Sequence, residues 1–278
     1  MPSIRPPAHV TGRAKGHLPD PVGLVMTPHT RLLGLPTAIP KAVDNSKHSP
    51  PKWDQKSSSS CVGQATARAI SNYLRLIGEP LDDEPSPLGL YTNARVIDRI
   101  PHGDVFPELK DDGSMPLACM RAIPEFGVPM SRDWPFDLAT INDEPTIARE
   151  ETASIVKLTG YYRIYQTPSN PKSFVEAVCQ AIAQGFPVCF AIQADRAFED
   201  YRAGTTLGAA GASMGGHYVC ATGYDSTAGG SRVILVENSW GTSWGDHGNA
   251  HGDEAFMRGM SDVVIMKLKR AEPMQRAA

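Results

Sequence analysis

Three observations predict an α+β fold with two lobes. Apolar residues recur at helical spacing in the first half, most plainly at Ala65, Ala69, Tyr73 and Ile77. Short β-prone runs separated by glycine clusters fill the second half. No internal repeat disturbs that division, and 278 residues are enough for a sizeable core. Helix-rich and strand-rich stretches that are segregated along a chain pack as segregated layers, which is the α+β arrangement.

Taken in order, residues 1–35 read as an extended arm, because Pro2, Pro6, Pro7, Pro19, Pro21 and Pro28 break any helical period. Pro36 to Trp53 reads as irregular chain. A buried amphipathic helix is expected from Cys61 to Ile77, with Ile70 and Leu74 widening its apolar stripe and Gly78 as its stop. The run Ser57 to Ser60 offers hydroxyls to cap it, which places Cys61 at a helix N-terminus. Leu117, Met120 and Ile123 predict a second helix from Pro116 to Phe126, ended by Gly127. Phe174, Val178 and Ile182 predict a third from Ser173 to Ala183, with Gly185 beyond it. Strands are expected at Val188–Ile192, His217–Gly223, Arg232–Glu237 and Ser261–Lys269. The expected organisation is the arm, a domain over 36–270 (mainly helical over 36–160, mainly β over 161–270) and a tail over 271–278.

The net charge of -3 comes without a basic run or a basic amphipathic helix, which argues against nucleic-acid and membrane-surface partners. No apolar stretch approaches the ~20 residues that span a bilayer. In the first 40 residues the longest apolar run, Val22 to Met26, is too short for a secretory signal, so a cytoplasmic home is expected. Five cysteines, an odd number without a Cys-x-x-Cys pair, read as free thiols in a reducing compartment. By that reading Cys119, Cys179, Cys189 and Cys220 belong to the core. His247 and His251, near Asp246, Asp253 and Glu254, lie in a glycine-rich loop and read as loop residues; no metal or other cofactor is implied.

Cys61 stands apart. A thiol ionises near pH ~8.5, and a helix N-terminus together with an imidazolium partner would stabilise the thiolate. Gln55 lies six residues upstream, where its amide could reach the same site as an oxyanion donor. Downstream come Gly215-Gly216-His217-Tyr218-Val219, then Asn238-Ser239-Trp240-Gly241 and Ser243-Trp244-Gly245. Each piece alone is weak, since a histidine among glycines is usually structural and an Asn-Ser pair usually a turn. The order in which they occur carries the information.

That order resembles the papain family of cysteine peptidases, which reads Gln, five residues, Cys opening a long helix, then Gly-His-Ala-Val, Gly-Tyr and Asn-Ser-Trp-Gly-x-x-Trp-Gly. The resemblance spans about residues 36–268 and includes Gly113-Ser114-Met115-Pro116, Trp134-Pro135-Phe136 and Gly185-Phe186-Pro187-Val188. It implies a two-lobed fold, helical in the N-terminal lobe and antiparallel β-rich in the C-terminal lobe, with the cleft between them. It also implies Cys61 as nucleophile, His217 as general base and acid, Asn238 as the residue orienting the ring, and Gln55 with the Cys61 N–H as oxyanion donors. Gly113, Ser114, Met115, Pro116, Ala191, Gly216 and Trp240 fall at substrate-binding positions. Trp240 should shield the His–Asn bond, and Met115, Pro116 and Ala191 should line a pocket for an apolar side chain.

The chain departs from the family at Ser58, where a disulfide cysteine is usual, and at Val62, where a tryptophan is usual. Gly248-Asn249 replaces a usual Gly-Tyr. The Cys61–His217 spacing exceeds the ~130–150 residues typical of the family, with Gly204–Gly215 the expected insertion. An arm this short implies constitutive activity or direct blockade of the cleft. The expected activity is peptide-bond hydrolysis on a peptide or protein substrate. A catalytically silent binding module, or action on another amide by transfer or deamidation, uses the same residues. The hydrolase reading requires the sulfur and the imidazole to meet across a groove, and a buried sulfur counts against it.

Overall fold

The computed structural model describes residues 15–19, 39–99, 108–153, 156–166 and 170–270. Of the expected arm, 1–35, only 15–19 are described; the rest of it, residues 36–38 and the expected tail, 271–278, lie outside the described residues. The helices are α1 Cys61–Leu76, α2 Pro87–Arg99, α3 Pro116–Phe126, α4 Ile147–Glu151, α5 Pro171–Ala183, α6 Arg196–Glu199 and α7 Glu254–Arg258. The strands are β1 Val43–Asp44, β2 Val156–Arg163, β3 Val188–Gln193, β4 Gly216–Ser226, β5 Arg232–Glu237, β6 Asn249–Gly252 and β7 Ser261–Arg270. They form one antiparallel sheet in the order β2-β7-β3-β4-β5-β6, with β1 paired to β4.

The central strands are buried on both faces, which explains their nearly unbroken apolar sequences. On one face Cys189, Ala191, Tyr218, Cys220, Val264 and Met266 pack with Cys61, Ile70 and Leu74 of α1 and Met120 of α3. On the other face Val188, Phe190, Val219, Ala221 and Ile265 pack with Phe174, Val178 and Ile182 of α5. The two-residue periodicity of β4 thus sends His217 and Tyr218 to opposite faces.

The structure corrects several expectations. Residues 36–53, read as irregular, contribute β1 and a 3-10 turn at Ser46–His48. The serine run does not cap α1 through a hydroxyl. Ser58 Oγ instead bonds the Gln55 carbonyl at 2.7 Å and lies 2.7 Å from Ser60 Oγ, tying the turn before the helix to itself. Helix α2 and strand β2 were not expected. In α2 polar Thr92, Asn93 and Arg95 are buried alongside the apolar residues, which blurs its stripe. In β2 a register shift between Leu158 and Gly160 breaks the alternation. The five cysteines are all free and buried.

A buried charge cluster joins the two faces. Glu237, 2% exposed at the end of β5, pairs with Arg68 of α1 at 3.0 Å and with Lys52. It also accepts from Ser49 and Thr222, both at 2.5 Å. Burial alone would raise its carboxyl, but Arg68 and Lys52 together hold it below the usual carboxylate range. Among the described residues, no helix is long and apolar enough to cross a membrane.

Candidate active site

Cys61 is the first residue of α1 and is fully buried. Burial pushes its thiol up to about 11, moderated by the backbone N–H groups of Tyr218, Gly16 and Val62. The sequence suggested a thiolate stabilised by the helix terminus and an imidazolium partner; here desolvation is the largest influence on the thiol and acts the other way. The backbone of Tyr218 reaches the sulfur because β4 runs alongside α1, and this brings the residue next to His217 against the helix start.

His217 opens β4 behind the glycine pair Gly215-Gly216 and is fully buried. Its Nε2 lies 2.8 Å from Asn238 Oδ1. The same oxygen accepts the Ser239 N–H at 2.8 Å, so it is the oxygen and not the amide nitrogen that faces the ring. Nε2 is therefore the protonated nitrogen of the neutral ring. Trp240 stacks on the imidazole with ring centroids 4.7 Å apart and planes 27° from parallel. Phe198 packs edge-on to both rings, and Trp244 closes the stack at 4.9 Å from Phe198. Water is thereby kept from the His217–Asn238 bond.

Gln55 is fully buried and held on three sides. Its N–H donates to the Ser239 carbonyl at 2.8 Å, its Oε1 accepts from Ser239 Oγ at 2.6 Å, and its Nε2 donates to the Ser58 carbonyl at 2.8 Å. An amide nitrogen carries two protons, and Ser58 engages one of them. The loop bearing Asn238 and the loop preceding Cys61 are thus joined through Gln55.

Residues 15–19 of the arm lie in the cleft. The Gly16 carbonyl accepts from Ser114 N–H at 2.9 Å, and Leu18 N–H donates to the Ser114 carbonyl at 3.1 Å, a parallel bridge. On the opposite wall His17 N–H donates to the Gly216 carbonyl at 3.3 Å. The fit at Gly16 is close: a Cβ there would stand 1.8 Å from the Ser59 carbonyl oxygen. Gly113, at φ +103, also admits no side chain, since its Cβ would meet the Gly16 carbonyl oxygen at 2.3 Å. Gly16 is among the neighbours of the Cys61 thiol, to which its backbone N–H is turned.

Of the substrate-binding residues expected from the sequence, Gly113, Ser114, Gly216 and Trp240 contact the arm. Met115 and Pro116 start α3 beside them. Ala191 pairs with Tyr218 across β3 and β4 and is fully buried. In the cleft His17 stacks on Tyr218 at 5.7 Å and its Nε2 lies 2.9 Å from Asp262 Oδ2. Sequence reading missed Asp262 and Glu199. Asp262 sits at φ +43, a left-handed conformation uncommon outside glycine, and that is visible only in three dimensions. The expected insertion, Gly204–Gly215, is pinned by Leu207 N–H to His251 at 2.8 Å and Met214 N–H to Ala194 at 2.7 Å.

The papain family cysteine protease model matches residues 110–259, more than half the chain. An uncharacterized peptidase C1-like protein, L477, of Acanthamoeba polyphaga mimivirus is 26% identical over 67% of this chain and 60% of its own length. The probable cysteine protease RDL2 of Arabidopsis thaliana is 31% identical over 50% of this chain and 36% of its own. The chain therefore spans less than two thirds of either relative. Among solved structures, xylellain, a cysteine protease from Xylella fastidiosa, superposes with a TM-score of 0.71 over 93% of this chain and 97% of its own, at 22% identity. At that identity the match speaks for the fold: α+β, two-lobed and papain-like. With a family model that matches more than half of the chain, including His217, Asn238 and strands β2 to β6, the chain belongs to the papain family of cysteine proteases.

Proposed function

We propose that this chain hydrolyses peptide bonds through a Cys61 acyl-enzyme and that residues 15–19 hold it in a blocked state. The observation carrying the reading is the His217 Nε2–Asn238 Oδ1 bond at 2.8 Å under Trp240, next to a helix that begins with Cys61. Fixing the proton on Nε2 leaves Nδ1 to take the thiol proton. The sulfur then bonds to the substrate carbonyl carbon, the C–N bond breaks, and His217 hands its proton to the departing amine. Water, activated by the same ring, hydrolyses the thioester. The Cys61 N–H and Gln55 Nε2 serve the oxyanion. The substrate is a peptide or protein, and the scheme needs no cofactor.

The arm suits an inhibitor better than a substrate. It presents the Gly16 N–H to the sulfur, while the Gly16 carbonyl is turned to Ser114. A thiol facing a donor has no electrophile to attack. Full burial of Cys61 is also the one observation that favours a silent binding module. A cleavage assay on a peptide library, comparing the native chain, Gly16→Ala and Cys61→Ala, separates the readings. Cleavage by Gly16→Ala that disappears in Gly16→Ala/Cys61→Ala supports the peptidase. Absence of any product, with Cys61 labelled no faster than free cysteine, supports the module. Mass analysis of products distinguishes hydrolysis from transfer or deamidation.

A further inference from the structure

Strand β2 is the terminal strand of the sheet, and among the described residues no strand pairs with its outer edge. Lys157 of β2 is exposed and stands directly opposite Lys269 of β7, which is exposed too. Lys267, two residues back on the same face, is the third exposed lysine. The register shift between Leu158 and Gly160 sets Lys267 opposite Gly160, and Thr159 Oγ1 donates to the Lys267 carbonyl at 3.0 Å. Ile265, next along that face, packs in the core with Phe174 and Val178 of α5, so the lysines begin where the cover of α5 stops. Like charges directly opposite on a ladder repel, their Cβ atoms being about 4.5–5.5 Å apart. Among the described residues none of the three meets a carboxylate; Glu79 and Asp82, at the same end of β7, are engaged by Arg270. A lysine on an edge strand keeps that edge from pairing with copies of itself. That accounts for Lys157 alone, since Lys267 and Lys269 stand on the inner strand β7.

We propose that the outer edge of β2, with Lys157, Lys267 and Lys269, docks an acidic, extended segment of the protein substrate, which adds to the sheet as a further strand. Backbone pairing along β2 sets the register, and alternate residues of the added strand fall on the lysine face. Lys157 lies one strand spacing from them, and the β7 lysines lie two, about 10 Å, which two long charged side chains can bridge. The lysines that repel a second copy of β2 accept a strand of opposite charge. Strand β7 begins beside the cleft, since Ser261 pairs with Ala191 of β3 and Ile192 of β3 with His217. Lys267 and Lys269 lie six and eight residues along it, about 20–26 Å away. A substrate therefore carries its acidic segment at least about seven extended residues from the bond that is cut.

The inference rests on the peptidase reading for its substrate but not for docking, and the test keeps the two apart. Binding of fluorescein-labelled Gly-Val-Glu-Val-Glu-Val-Glu-Val-amide to the full-length chain is read by anisotropy. Lys157→Glu/Lys267→Glu/Lys269→Glu should weaken binding more than about tenfold, and Lys157→Ala or Lys269→Ala alone about two- to fivefold, in proteins that melt like the native chain. A probe with proline in place of each valine keeps the charge but cannot pair, and should bind at least about tenfold more weakly. Equal binding by the native chain and the triple variant overturns the proposal, and so does equal binding of the proline probe. Tighter lysine-dependent binding of a single-stranded oligonucleotide or of phosphatidylserine vesicles overturns the peptide assignment. In Gly16→Ala, joining the acidic segment to a cleaved peptide should raise kcat/KM about tenfold, and the three lysine reversals should remove that gain. Lysine-dependent probe binding without cleavage of any peptide supports the docking surface and removes the peptidase reading. Cleavage with probe binding indifferent to the lysines does the reverse.

Discussion

Replacing Gly16 by alanine adds a single methyl group at the closest contact in the cleft. Its carbon would stand 1.8 Å from the Ser59 carbonyl oxygen, 2.4 Å from the carbonyl carbon and 2.5 Å from Cβ. Two of these atoms are backbone, in the turn that Ser58 and Asp111 tie down, so the neighbour cannot yield by rotating a side chain. The arm must lift, and Cys61 then meets solvent. With its thiol moving from about 11 toward the ordinary ~8.5, the thiolate fraction at pH 7.5 rises roughly 300-fold. A less basic thiolate is intrinsically about tenfold less nucleophilic, which leaves a net gain of roughly 30-fold before access is considered. Iodoacetamide labelling, resolved by residue so that the four core thiols are read separately, measures this directly. An unchanged labelling rate at Cys61 in a variant that melts like the native chain would refute the blocked-cleft argument.

Four further outcomes follow from the packing. Glu237→Gln leaves Arg68 buried opposite a neutral group and should cost about 3 kcal/mol in chemical denaturation. Because the folded carboxyl lies below its unfolded value, its stabilisation is complete above about pH 4.5 and fades as pH falls through the folded value, so acid should erase the difference between the native chain and Glu237→Gln. In Gly63→Ala the new carbon meets the Pro87 carbonyl oxygen at 2.3 Å and the α1–α2 contact must open, lowering stability by about 1–3 kcal/mol by thermal melting. Trp240→Ala strips the cover from the imidazole and should cost about 3–5 kcal/mol of stability as well as peptide turnover. Asn238→Ala should leave a reduced but measurable turnover, provided the arm has first been displaced by Gly16→Ala, because the ring keeps its aromatic stack when it loses its oxygen partner.

Much of this molecule was legible in its residues. Helices α1, α3 and α5 showed because apolar residues recur in each at helical spacing and a glycine follows each one's end. The motif segments at Gln55, Cys61, His217 and Asn238 showed because their order is specific even where each piece is weak. Helix α2 was hidden because Thr92, Asn93 and Arg95 interrupt its apolar spacing, although Ser86-Pro87 marks its start: Ser86 Oγ accepts the Gly89 N–H at 2.9 Å. The acids were hidden for a different reason. Glu199 and Asp262 lie far apart in sequence, in segments with no functional pattern, and acquire meaning only beside Lys15 and His17. The arm itself read as featureless because a segment that borrows its hydrogen bonds from a cleft needs no periodicity of its own.

Asn238 bears on how much the ring can move. One oxygen receives both the imidazole and the amide of the very next residue, so it is clamped by its own backbone and cannot swap ends with its nitrogen. The imidazole is thus held at Nε2 by an oxygen whose own orientation is fixed. A carboxylate at that pivot would keep both bonds but seal a full negative charge behind tryptophan.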